Sequence, residues 1–232
     1  DNGDPDGFDI ALIKAVGEKM GKTVTVQDME FDSLVASIGS KIDCAIAGMT
    51  ITDERKETVD FSDPYYEAVQ YVLVPAGSDI KTADDLKGKT IGTQLGTTGD
   101  YDAQDIEGAT DKSYNKGVDA VQDLLNGRVD CVIIDKNPAL VFQSKFSDKI
   151  TALDGADFNF EPEEYAIAVP KGDTELLNGI NKALADLKAD GTFDKLVAQY
   201  IEDSTESSDA AVSENSTEVS TEASAEASTA SK

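Results

Sequence analysis

The chain has 232 residues, 46 of them acidic and 20 basic, a net charge of −26, and 40% of it is hydrophobic. That length and apolar content fit one large domain or two small lobes with a sizeable core, and the negative field repels nucleic-acid phosphates and anionic membrane surfaces. There is no histidine, which excludes Ser-His and Cys-His nucleophile pairs and argues against a zinc site.

Taken in chain order, the opening Asp1-Asn2-Gly3-Asp4-Pro5-Asp6-Gly7 reads as a turn and resembles the middle of a domain more than its natural beginning. Apolar residues at Ile10, Leu12, Ile13, Val16 and Met20 predict a helix over 8–20, ended by Gly21. A strand is expected at 23–26, a helix at 33–38 and a buried strand at 42–47. Further strands are expected at 71–74, 90–93, 129–134 and 165–169, and helices at 118–126 and 176–189. This alternation places the chain in the α/β class. From about Ser204 to Lys232 the sequence is Ser, Thr, Glu and Ala with almost no large apolar residue, a disordered tail or spacer. No run of about 18 apolar residues exists to span a membrane, and no signal peptide is visible.

A weak internal repeat is present. Leu34 to Ile38 leads through Gly39 to Ile42-Asp43-Cys44-Ala45-Ile46-Ala47, and Val121 to Leu125 leads through Gly127 to Val129-Asp130-Cys131-Val132-Ile133-Ile134. Each reads as helix, glycine turn and a strand opening near Asp-Cys, as two similar halves would. Cys44 and Cys131 lie inside apolar runs and read as buried small hydrophobes with free thiols, a disulfide between them being the minor alternative.

Three stretches could carry chemistry. In Gly48-Met49-Thr50-Ile51-Thr52-Asp53-Glu54-Arg55, Thr52 suits a helix N-cap, and Asp53 and Glu54 suit the first turn. Arg55 is misplaced for the helix dipole unless an anion is also there; the plainer alternative is a surface ion pair. Asp135 ends the apolar run Cys131-Val132-Ile133-Ile134, where open α/β sheets gather ligands, and could receive an ammonium group or merely cap the helix around Pro138. Gly92-Thr93-Gln94-Leu95-Gly96-Thr97-Thr98-Gly99 lacks the lysine and spacing of a phosphate loop and reads as a turn offering N–H and hydroxyl donors.

The run Gly48 to Arg55, followed by Val59-Asp60-Phe61-Ser62-Asp63-Pro64-Tyr65-Tyr66, resembles the signature of polar amino acid binding proteins of ABC importers. The resemblance continues through Leu86-Lys87-Gly88-Lys89, Gly96-Thr97-Thr98, Asp135 and Tyr165-Ala166-Ile167-Ala168-Val169-Pro170-Lys171-Gly172, and covers roughly residues 7 to 201. It implies a type II periplasmic-binding fold, with one lobe from residues 1–66 plus 163–203 and the other from 67–162. Arg55 would clamp a ligand α-carboxylate, assisted by Gly48, Met49 and Thr50. Asp135 would bind the α-ammonium, and Thr97 and Thr98 would donate from the second lobe. Phe31 would pack against the ligand, and Gln94 falls where side-chain specificity is often set. The resemblance also implies a monomer in the periplasm or at the cell surface that passes its amino acid to a membrane permease, without nucleic acid, metal, cofactor or catalysis. A receptor's sensory module and a dehydratase on the same fold are the rivals; the dehydratase would need a cleft acid near Gln94 or Thr98, and none is evident. The family's first strand has no counterpart here, which suggests a missing N-terminal segment that could carry an export signal and lipid anchor. After Ile10, Ala11 stands where the family usually has an acid.

Overall fold

The computed structural model describes residues 6–202. Most of the opening turn and the 204–232 tail lie outside the described residues. Helix α1 (Phe8–Lys19) buries Leu12, Ile13 and Val16. A 3-10 turn at Phe31–Ser33 runs into the short α2 (Leu34–Ser37). Thr52 caps α3 (Asp53–Thr58), its hydroxyl accepting from the Arg55 N–H at 3.1 Å. There follow β1 (Val59–Phe61), β2 (Tyr66–Ala68), β3 (Gln70–Pro75), β4 (Thr90–Gln94), α4 (Thr98–Asp105), β5 (Thr110–Tyr114) and α5 (Gly117–Leu125). Then come β6 (Cys131–Asp135), α6 (Lys136–Lys145), β7 (Ile150–Asp154), β8 (Glu163–Tyr165), β9 (Ala168–Pro170), α7 (Thr174–Ala189) and α8 (Thr192–Val197).

The main sheet has the order β5-β4-β6-β3-β7. Strand β4 runs parallel to β5 and β6, while β3 runs antiparallel to β6 and β7. Alternate residues of β3 serve two cores, as the two-residue period of a strand requires. Tyr71 and Leu73 pack with Val121, Leu124 and Val132 on one face. Val72 and Val74 pack with Ile80, Leu86, Ile91 and Phe158 on the other. A sheet covered on both faces explains why β3 and β6 read as near-continuous apolar runs.

A second body gathers α1, α7 and α8 around Tyr65, Tyr165, Ile167 and Val169, with a further cluster of Leu34, Ala45, Met49, Val59 and Ala168. Its described ladders are two short antiparallel pairs, β1 with β9 and β2 with β8. The β2–β8 pair leads directly into the five-stranded half, since Ala68 precedes Gln70 of β3 by two residues and Ala68 faces Glu163.

Two expected strands do not form ladders. Residues 23–26 belong to no strand, and 42–47 makes only the isolated bridges Ile38–Ile42 and Ala45–Ala168. Their apolar alternation is real, but both segments line a groove of about 510 Å³, walled also by Ile13, Val16, Leu176 and Ile180. Among the described residues no strand lies between them to complete the hydrogen bonding that a ladder needs. The expected 165–169 strand is split into β8 and β9, because at Ile167 the chain bonds instead to Ser62, whose N–H donates to the Ile167 carbonyl at 2.8 Å and whose hydroxyl accepts the Ile167 N–H at 2.9 Å. The internal repeat is therefore unequal: α5, Gly127 and β6 form a helix–strand unit, while its earlier counterpart has only the four-residue α2 and an irregular run. Both cysteines are free. Burial, helped by the neighbouring Asp43 and Asp130, pushes their thiols up to about 11 at Cys44 and about 12 at Cys131. Among the described residues no helix is long and apolar enough to cross a membrane.

Candidate functional site

Arg55 is buried in α3, and its guanidinium spans the two halves of the molecule. One terminal nitrogen donates to the Thr50 carbonyl at 2.7 Å, and the other donates to the Gly96 carbonyl, beyond β4, at 2.9 Å. The Phe31 ring lies beneath it, 5.4 Å from guanidinium carbon to centroid, a cation–π distance. Burial lowers the Arg55 pKa, opposed by Tyr101 and by the carboxylates of Glu163, Glu54 and Asp135; an arginine nonetheless stays charged. It is not a surface ion pair. Three of its five N–H groups are left by these two bonds to meet a carboxylate.

Asp135 ends β6 and occupies the N-cap position of α6, but its side chain makes no capping bond. Its carboxylate instead accepts from the Tyr165 hydroxyl and from the Gln70 amide nitrogen. Burial is the largest influence on it and lifts its pKa to about 6; Glu163 pushes the same way, against the bonds from Tyr165 and Gln70 and the charge of Arg55. Burial and the Asp135 charge in turn raise the Tyr165 phenol.

Two residues that the sequence reading had not singled out complete this pole. Gln70 opens β3 and is 1% exposed, and its amide nitrogen also faces Glu163 at 3.1 Å and the Thr98 hydroxyl at 3.1 Å. Glu163 opens β8 and accepts from the Thr50 hydroxyl and, at 2.8 Å, from the Thr98 hydroxyl. Gln70 fits because two glycines face it: a Cβ on Gly99 would lie 2.7 Å from its side-chain oxygen, and one on Gly155 would lie 1.8 Å from its carbonyl. The available signal was a polar residue at the mouth of an otherwise apolar strand, which a sheet core does not explain.

The other expected residues divide into two groups. Thr50 and Thr98 join Asp135 through Gln70 and Glu163, and Phe31 stays with Arg55. The Gly48 N–H donates to Asp9 at 2.6 Å, and Asp9 also accepts from the Tyr65 hydroxyl at 2.9 Å; burial raises the Asp9 pKa. Thr97 serves its own helix, its hydroxyl accepting from the Asp100 N–H at 3.3 Å and donating to the Gln94 carbonyl at 2.7 Å. Gln94 donates to the Asn115 carbonyl at 3.4 Å. The Met49 side chain is fully buried with Leu34, Ala45, Val59 and Ala168, and its carbonyl accepts from the Ala166 N–H at 3.1 Å. An acid does lie on Thr98 after all: Glu163 comes from a segment 65 residues away, which no reading of adjacent residues would pair.

The profile of the bacterial extracellular solute-binding proteins, family 3, matches residues 1–203. The L-cystine-binding protein TcyJ of Escherichia coli (strain K12) is 35% identical over 204 residues, which cover 86% of this chain and 76% of that protein. An ancestral arginine-binding protein bound to arginine superposes with a TM-score of 0.80 at 43% identity, covering 87% of this chain and 90% of that one. The ancestral amino acid-binding protein AncCDT-1, a precursor of cyclohexadienyl dehydratase, superposes with a TM-score of 0.78 at 36% identity, covering 86% and 87%. The architecture is accordingly the type II periplasmic-binding fold. The chain belongs to family 3 of the bacterial extracellular solute-binding proteins.

Proposed function

We propose that the protein captures a free amino acid between two lobes, residues 1–66 plus 163–203 and residues 67–162, and delivers it outside the cytoplasm to the permease of an ABC importer. The reading rests on one observation: a chain of hydrogen bonds links Arg55 to Asp135, since Arg55 donates to Thr50, Thr50 donates to Glu163, and Gln70 donates to both Glu163 and Asp135. An α-amino acid carries a carboxylate and an ammonium close together, and this pair presents the complement of each. Each half supplies part of the site, so the ligand favours the arrangement that brings the halves together. Relatives that bind cystine and arginine agree with an amino acid ligand.

The decisive experiment is calorimetry on the chain and on Arg55→Ala with a panel of amino acids. Loss of a charge-assisted bidentate contact costs on the order of 3 kcal/mol, about a hundredfold in affinity. A loss below about threefold, with the variant still folded, would overturn the role of Arg55.

The likeness to AncCDT-1 favours one second reading, a dehydratase. Asp102 and Asp135, both with pKa lifted to about 6 chiefly by burial, put proton donors near the cleft. Binding without chemistry is the reading adopted, and mass spectrometry of the ligand after prolonged incubation tests it: recovered amino acid is unchanged, and any dehydrated product refutes it.

A further inference from the structure

We propose that Asp111 shares one proton with Asp100 through the Thr93 hydroxyl, and that this proton positions the Gly96 turn against Arg55. Its effect on binding rests on the amino acid reading; the proton and the turn do not. Gly96 is a point where the two halves touch. Its carbonyl accepts from the Arg55 guanidinium at 2.9 Å, and a Cβ built on it would lie 3.1 Å from the Asp32 Cβ. On the other side the turn is held by Asp100 of α4, whose Oδ2 accepts the Gly96 N–H at 2.8 Å. Asp100 is 2% exposed, and its Oδ1 faces the Thr93 hydroxyl at 3.0 Å. The same hydroxyl oxygen lies 2.8 Å from Oδ1 of Asp111 on β5.

A hydroxyl has one proton to give, so Thr93 cannot donate to both carboxyls. Both contacts become hydrogen bonds when one carboxyl is protonated. The proton falls to Asp111, because Asp100 already accepts an N–H on its other oxygen, whereas the other oxygen of Asp111 meets only the Gln104 amide at a long 3.5 Å. Asp111 then donates to the Thr93 oxygen, Thr93 donates to Asp100, and Asp100 holds Gly96. The groups around Asp111 leave its charge unmatched. Strand β4 brings the neutral Thr93, and α4 brings Asp100 and the neutral Gln104. The Asp102 and Asp105 carboxyls, also on α4, add negative charge and act on each other. On β5 itself, strand alternation turns Lys112 to the opposite face, where Asp123 of α5 takes it together with Arg128. Burial, and next Asp100, push the Asp111 carboxyl up to about 6. Above that value the proton leaves to solvent, two carboxylates compete for one hydroxyl proton, and the half-buried Asp111 turns to water. The Gly96 turn loses that support.

The test compares the full chain with Asp111→Asn and Asp111→Ala. An asparagine amide donates to Thr93 at every pH, as the protonated acid does, and alanine never does. Melting temperatures are taken at about pH 5 and about pH 7.5. A carboxyl with a raised folded value stabilises at low pH and loses that contribution as pH rises through the folded value. Asp111→Asn should therefore match the parent at the lower pH and melt about 2–4 °C higher at the upper one, the shift that one regained hydrogen bond gives a chain of this size. Asp111→Ala should melt below the parent by a similar amount at the lower pH and close to it at the upper. Asp135 titrates in the same range but is common to all three chains, so it cancels from each difference. In nuclear magnetic resonance spectra the Gly96 amide should shift with a midpoint near 6 in the parent and lose that step in Asp111→Asn. Calorimetry with the panel of amino acids should show Asp111→Asn binding about threefold tighter than the parent at the upper pH and equally at the lower. A difference in melting between parent and Asp111→Asn that is the same at both pH values, or no difference at either, overturns the shared proton. A Gly96 amide that does not follow Asp111 overturns the link to the turn. Failure of every chain to bind an amino acid refutes the amino acid reading, and the melting and amide measurements still decide this proposal.

Discussion

Asp135 shows how one residue couples the site to pH. Its carboxyl has an ordinary value of 3.8 and titrates at about 6 in the fold, mainly through burial. A carboxyl with a raised folded value holds its proton more tightly in the folded state. Its contribution to stability is therefore most favourable at low pH and declines as pH rises between about 4 and 6. Binding runs in the opposite sense, because an ammonium needs the ionised form. Affinity should fall as pH drops below about 6, by up to tenfold per unit. Calorimetry at about pH 7.5 and about pH 5 checks this, with Asp135→Asn as the variant in which both the dependence and most of the affinity should vanish. Equal affinity at the two values would remove Asp135 from the ammonium pole. Arg55 was legible as a candidate because a cation early in a helix conflicts with the dipole. The carbonyl it reaches across the cleft, that of Gly96, was not, since 41 residues separate them.

At the level of elements, β3 carries the site into the main sheet, and its first residue depends on two glycines for room. An alanine at 155 would place its Cβ 1.8 Å from the Gln70 carbonyl oxygen, which belongs to the backbone and cannot swing aside. Gly155→Ala should cost about 1–3 kcal/mol, the usual range for overpacking, read as a lower urea midpoint. An alanine at 99 meets the end of the Gln70 side chain at 2.7 Å and the Ile133 side chain and carbonyl at 3.0 and 3.3 Å. Gly99→Ala should therefore cost less stability than Gly155→Ala while displacing Gln70 and lowering affinity, and unchanged affinity would show that Gln70 is structural only. Elements built from long-period patterns were the most legible: α1, α5 and α7 form close to their expected bounds, because each needs only one apolar face against a core. Residues 23–26 and 42–47 have strand-like patterns but no ladder, because a strand is completed by its neighbours and not by its own sequence.

For the whole molecule, the proposed site draws on both halves, which makes ligand binding and global stability one measurement. Free ligand at about a hundred times its dissociation constant adds about 2.7 kcal/mol to the folded state, which for a chain of this size raises the melting temperature by roughly 5–10 °C. Arg55→Ala should show no such rise with the same ligand. A rise retained in that variant would place the ligand elsewhere. The α/β class, the helices α1, α5 and α7 and the apolar central strands were legible in local periodicity, and Arg55 and Asp135 in the placing of a charge against its neighbours, whereas α4 and α8 were not read and Thr98 became a candidate only through the family resemblance. The tertiary structure alone decided that Glu163 and Gln70 share the pole of Asp135, that Gln94 bonds to Asn115 and Thr97 to its own turn, and that the Met49 side chain belongs to the core. Those outcomes depend on which strand ends the folded chain brings within about 3 Å of one another, and a hydrogen bond of that length carries no trace in the spacing of residues tens of positions apart.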